Sequence, residues 1–428
     1  MSDNTSRDED RDAGELERRA TRLIHDPYRP PAGFAAPMEP VHKASTVFFE
    51  NTQALHSSRW IDKSAYTYGL HGTPTTFTLE ARIAALEGGG HCLVVPSGLA
   101  AITLVAMALL RSGDAMLLPD NVYAPSKRFS THELRHWGIG HALYDPMDEA
   151  SLAAALTPQT KLVWLEAAGS VTLEFPALDR LVRLVREKAP QAVIALDNTW
   201  GAGLAFDAFA LRSNGSNGGA GDDGDDRDSS APAVDISAHA LTKYPSGGGD
   251  VLMGALTTRD QKLHQQLALA HSRIGFGIGG NDAELLLRAL PSLPLRYAAQ
   301  DAAGRRFAQW CTQRGEFARV LHPALPDSPG HAHWARLCRA AAGLVTVEFD
   351  ARYSPAQVDA FIDALRLFRI GWSWGGPISL AVPYQPAELR SRPTAYRGTL
   401  VRFAIGLEAI DDLCADVARA LTALQATT

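Results

Sequence analysis

Short apolar runs recur along this chain, separated by longer stretches with helical periodicity. "HCLVV" (91–95), "AMLLP" (115–119), "KLVWLE" (161–166) and "AVIALD" (192–197) predict buried strands. "PSG" breaks the first of them, and "LAAITLVAMALL" (99–110) then predicts a buried helix. "FPALDRLVRLVREKA" (175–189) predicts an amphipathic one. Strands alternating with helices predict an α/β fold around a largely parallel, helix-covered sheet. Working residues in such sheets sit at the C-terminal ends of the strands. One segment breaks the pattern: 212–233, "RSNGSNGGAGDDGDDRDSSAPA", has almost nothing to bury and predicts a flexible surface insertion. From about residue 260 the pattern becomes helical, and 343–407 offers new strand-like pieces, "GLVTVEFD" and "LVRFAI". The expected division is an N-terminal arm with a disordered start (1–65), a large domain (66–265) and a C-terminal α/β domain (266–428).

Composition narrows the class. A chain of 428 residues is long for one core, and 46% apolar with 21% charged residues is the composition of a soluble globular protein. A formal charge of −6 gives no general attraction to nucleic acid or anionic membranes. The longest apolar stretch is too short to span a bilayer, and the charged N-terminus has no apolar core for a signal peptide. Cys92, Cys311, Cys338 and Cys414 are scattered, with no C-x-x-C pair, so no metal site is expected and the expected compartment is the cytoplasm.

Three strand-end features carry candidate chemistry. Asp197 closes "AVIALD"; such an acid is often a turn or cap residue, but it also suits a cationic ring nitrogen. "PSGLAA" (96–101) makes a strand-to-helix turn whose backbone N–H groups suit a phosphate, although plain turns look the same. Lys243, in "SAHALTKYPSGGGD" (237–250), follows an apolar approach and precedes a glycine run. Most lysines are surface groups. A lysine partly removed from water loses its preference for the ammonium form and becomes a nucleophile. Phosphate turn, carboxylate and activated lysine together match the needs of pyridoxal 5'-phosphate, and no P-loop pattern is present.

With these motifs the chain resembles the Cys/Met-metabolism family of pyridoxal-phosphate enzymes, of type I fold. "YGLHGTPTTFTLEARIAALEGG" (68–89), "PSGLAA", "DNVYAPS" (120–126), "ALDNTW" (195–200), "AHALTKY" (238–244), "SWGG" (373–376) and "VRFAIGLE" (401–408) occur in the family's order. The resemblance implies a mostly parallel, seven-stranded type of sheet and a smaller C-terminal domain. It implies that Lys243 carries the cofactor and removes the substrate's α-proton, and that Asp197 pairs with the ring nitrogen. Gly98, Leu99 and Thr242 would serve the phosphate, and Tyr123 would stack on the ring. Arg402 would clamp the substrate carboxylate, and Ser373 would position both. Tyr68 would reach the neighbouring subunit's site, so a homodimer is implied and a tetramer is usual.

Departures accompany the match. Leu70 stands where the family carries a phosphate-binding arginine, with His71 beside it; Ala240 replaces a frequent serine. "GGGD" (247–250) and Glu166-Ala167-Ala168 also differ from common forms. "SWGG", flanked by Trp372 and containing Trp374, resembles the bacterial cystathionine β-lyase branch, as do "GSVTLEF" (169–175) and "VLHPALPDSPGHAHW" (320–334). That branch implies β-elimination of an amino-acid thioether, with Trp372 and Trp374 near the substrate. Cysteine or S-alkylcysteine cleavage and γ-chemistry are the alternatives within the family. A cofactor-binding regulatory protein is the alternative outside enzymes.

Overall fold

The computed structural model describes residues 38–211 and 232–425, with scattered positions between 21 and 36. Nearly all of the 212–233 segment, and the start of the chain, therefore lie outside the described residues. Seven strands form the large sheet: β1 (His91–Val95), β2 (Ala115–Pro119), β3 (Gly140–Tyr144), β4 (Thr160–Glu166), β5 (Val193–Asp197), β6 (Ile236–His239) and β7 (Gly254–Thr258). Their spatial order is β1-β7-β6-β5-β4-β2-β3. Pairing is parallel except at β7, which runs antiparallel to both neighbours.

Both faces of this sheet are buried, which is why its central strands read as unbroken apolar runs. Alternate side chains of β4 go to opposite cores. Leu162 and Trp164 join Leu93, Val95 and Ile102 on one face; Val163 and Leu165 join Leu79, Ile83 and Phe175 on the other. The helix α1 (Pro74–Glu87) starts at a Thr73 capping box and stops at Gly88 in the left-handed region. The predicted buried helix is α2 (Gly98–Leu109), and the amphipathic one is α3 (Leu178–Lys188).

After β7 three helices follow in succession, 261–274, 280–289 and the long α4 (Leu293–Cys311), as the pattern predicts. A second, five-stranded sheet then forms from β8 (Phe317–Leu321), β9 (Leu344–Phe349), β10 (Arg369–Ile370), β11 (Leu380–Tyr384) and β12 (Leu400–Ala404), in the order β10-β11-β12-β9-β8. Its core gathers Phe307, Phe349, Phe361 and Phe403. The two sheets meet near the C-terminal ends of β4, β5 and β6. There the Thr346 hydroxyl donates to Val171 O (2.6 Å), and the Tyr244 hydroxyl accepts from Gly343 N (2.9 Å).

Candidate active site

Strand-end geometry gathers most of the candidates in one pocket, lined by Ser97, Gly98, Leu99, Tyr123, Glu166, Asp197, Thr199, Ala240, Thr242, Lys243 and Trp374 among others. Lys243 follows β6 in a tight turn, its N–H donating to Ala240 O (3.0 Å). Arg296 of α4 holds that turn from behind, donating to Tyr244 O (2.6 Å) and Pro245 O (3.3 Å). The "SWGG" loop lies directly against it. Gly375 has φ +76°, and a Cβ there would stand 2.7 Å from Tyr244 N. Only glycine combines that backbone with that approach.

This approach delivers Ser373 and Trp374 to the lysine. Lys243 Nζ donates to Ser373 Oγ (3.0 Å) and lies 4.4 Å from the Trp374 ring centroid. Burial, reinforced by the nearby Arg402 charge and opposed by Asp197, brings the amine's pKa down to about 8. Asp197 ends β5. Burial raises its pKa, against hydrogen bonds from Thr199, whose N–H donates to Oδ1 (3.0 Å).

At the start of α2 the Ser97 hydroxyl caps Ala100 N (3.0 Å), and Ala101 N donates to Ser97 O (3.1 Å). The N–H groups of Gly98 and Leu99 have no acceptor among the described residues and face the pocket. A Cβ at Gly98 would stand 2.6 Å from the Ala240 Cβ, so the helix end approaches this closely only with glycine there. Thr242 lines the pocket, yet its hydroxyl donates to Met253 O (3.2 Å) and accepts from Met253 N (3.0 Å). That hydroxyl is committed to the backbone.

Arg402, in β12, is 4% exposed and donates to Ser170 O (2.8 Å). Its guanidinium lies 5.0 Å from the Trp374 ring and 5.4 Å from that of Tyr384. No carboxylate pairs with it among the described residues. Burial pulls its pKa down, but a guanidinium stays charged. Burying a cation without a counter-ion is costly, so this arrangement suits an incoming carboxylate.

Two expected residues stand apart. Trp372 is 76% exposed and packs edge-on to Tyr384, with ring centroids 5.6 Å apart. Tyr68 is 48% exposed, bridged to Thr46 of the N-terminal arm, and does not line this chain's own pocket. His71 has both ring nitrogens engaged, by Thr67 (2.9 Å) and Ser272 (3.1 Å), and stacks on Trp60. It is fixed within its own chain.

Two further groups belong to the site and a third network lies beneath it, and all three were missed from sequence. Glu166 ends β4 and accepts the Tyr123 N–H (2.9 Å). Tyr384 forms the second wall around Arg402. Beneath β6 the Glu87 carboxylate binds His239 Nδ1 (2.7 Å), Asn198 (2.9 Å) and Ser237 (2.8 Å). The only sequence signal was position, since Glu166 and His239 both close strands.

Free N–H groups at a helix start, a strand-end carboxylate and a desolvated lysine fit pyridoxal phosphate, so fold and site define a pyridoxal-phosphate-dependent enzyme of type I fold. The Cys/Met metabolism PLP-dependent enzyme model matches residues 20–214 and 231–422, and the chain belongs to that family. A cystathionine beta-lyase of Salmonella typhimurium is 33% identical, over 88% of this chain and 91% of its own. A putative cystathionine beta-lyase of Rhizobium johnstonii is 36% identical, over 95% and 96%. The crystal structure of a cystathionine gamma synthase from Xanthomonas oryzae pv. oryzae, in complex with aminoacrylate and cysteine, superposes with a TM-score of 0.81 at 27% identity, covering 96% of this chain and 99% of that one.

Proposed function

We propose that this chain is a carbon–sulfur lyase that splits L-cystathionine by β-elimination into homocysteine, pyruvate and ammonia. The observation that carries the reading is the pairing of Lys243 and the uncompensated Arg402 on one indole, Trp374. Together they offer a base and a carboxylate clamp, the two groups needed to hold an amino acid and remove its α-proton. The names of the relatives above supply the substrate.

When bound, pyridoxal phosphate supplies a sink for the electrons left at the substrate's α-carbon. The chain's residues divide the remaining work. Gly98 and Leu99 hold the phosphate through their free N–H groups at the positive end of α2. Asp197 would keep the cofactor's ring nitrogen protonated by its negative charge. Lys243 would hold the cofactor and, as a neutral amine, would accept the α-proton at Nζ. Ser373 fixes that amine through its hydroxyl, and Arg402 orients the substrate through its carboxylate. Tyr123, which lines the pocket, would pack against the cofactor.

The exposed Tyr68 suits a role in a neighbouring subunit's pocket, so we read the working form as at least a dimer, with a tetramer expected from the family. No helix among the described residues is long and apolar enough to cross a membrane, and all four cysteines are free and buried; cytoplasmic residence is part of this proposal.

The test is to supply L-cystathionine to the cofactor-loaded protein and measure both α-keto acids. Pyruvate with one thiol per turnover is expected. α-Ketobutyrate would move the protein to γ-elimination, and neither product would reject cystathionine as substrate.

A further inference from the structure

Tyr123 enters the pocket at the residue just before a short helix, 124–129, with no side-chain cap to fix it. Its main chain is held instead from the sheet. Glu166, 6% exposed, sends its carboxyl across from the end of β4, and Oε2 accepts the Tyr123 N–H (2.9 Å). The same carboxyl lines the pocket floor and lies in register with Asp197 on the adjacent parallel strand. Two acids thus stand side by side at neighbouring strand ends, and only one, Asp197, has Lys243 and His239 among the charges that favour its ionised form.

We propose that Glu166 is a positioning residue of this site: it fixes the main chain at Tyr123, and thereby the phenol over the ring, while leaving Asp197 as the single anion opposite the ring nitrogen. This rests on the functional reading given above.

The surroundings of Glu166 agree with a neutral acid. Burial, then the Asp197 charge, raises its pKa well above the carboxylate range. The groups around it are Asp197 from β5, Tyr123 and Lys127 from the 120s segment, Tyr144 from β3, and the Ser170 backbone, which also hydrogen-bonds to the carboxyl. Lys127 is the cation that acts on it among the described residues, and that ammonium is already bound to Asp120 Oδ1 (2.9 Å), Asp120 O (2.6 Å) and Leu389 O (3.1 Å). The Tyr144 hydroxyl donates to Trp164 O (2.8 Å) and offers no proton. A second anion here would sit beside Asp197 with only backbone N–H groups to bind it directly, whereas a carboxylic acid still accepts the Tyr123 N–H.

Neutral glutamine reproduces that acceptor, and alanine removes it. Both variants are loaded with pyridoxal phosphate, and the circular dichroism of the bound cofactor is recorded from pH 6 to 9, alongside kcat and KM. Glu166→Gln is expected to keep the wild-type cofactor spectrum across this range and kcat within about threefold. Glu166→Ala is expected to alter the cofactor dichroism and lower kcat at least about tenfold, with KM changed less. Equal damage in both variants would overturn the proposal, because the negative charge would then be required. Wild-type behaviour of Glu166→Ala would overturn it too. Because the dichroism needs no substrate, it separates this inference from the choice of thioether. A wild-type protein that binds no cofactor would sink the functional reading itself.

Discussion

Two arginines, Arg402 buried and Arg390 partly buried, reach from the C-terminal part of the chain toward the same loop of the large domain, and the fold treats them oppositely. Arg390 pairs with Glu174, which also accepts from Asn121 (2.9 Å). Arg402 meets only a carbonyl, Ser170 O, and the faces of two aromatic rings. The first ion is compensated within the chain and is structural. The second is stabilised just enough by π-faces to be tolerated, and its charge is left for something that arrives. Residue type is the same in the two regions, and both side chains are largely withdrawn from water. The presence or absence of a partner separates scaffold from site.

The largest effect is expected at the centre of the site. Lys243→Ala should lower turnover at least about 10⁴-fold while the protein still folds, which a keto-acid assay and a thermal melt check together. Next come the two arginines. Arg402→Ala should lower kcat/KM about 100-fold or more, mainly through KM, without loss of Tm. Arg390→Ala should do the reverse, because it strands the buried Glu174 at a cost of about 3 kcal/mol and leaves KM near wild type. If both variants lose stability alike, the contrast between the two arginines is wrong.

The pH dependence sharpens the same contrast. Lys243 must be neutral to accept a proton, and its pKa of about 8 places the limb there: kcat falls as pH drops below it. The Arg402 charge is one cause of that depression. Removing it should favour the ammonium and move the limb to higher pH, whereas Arg390→Ala should leave the limb in place. The smallest expected effect is at the shared indole. Trp374→Phe keeps an aromatic face but a weaker one, so kcat/KM should fall about two- to fivefold.

Much of this was legible in the sequence where contacts are local. "HCLVV", "AMLLP" and "AVIALD" form strands because both sheet faces are buried, and the helix after "PSG" starts at the predicted break. Lys243, Asp197 and Gly98 could be picked out because each ends or follows a strand. The edge strand β3 was missed, since "GHALY" is half exposed and carries no continuous apolar run. The antiparallel β7, "GALTT", also lacks one. At the site, what stayed hidden was pairing. Glu87 and His239 are 152 residues apart, and Glu166 and Tyr123 are 43. That Arg402 lacks an acid while Arg390 has one depends on tertiary placement alone. Thr242, expected to serve the phosphate, turns its hydroxyl to Met253, a partner eleven residues away across the glycine run.

The most direct test of the central claim is chemical. The protein, loaded with pyridoxal phosphate and treated with borohydride, is digested and its peptides are weighed. The account predicts a single stable adduct, on the peptide containing Lys243 and at that residue. An adduct on another lysine, or none despite bound cofactor, would contradict it.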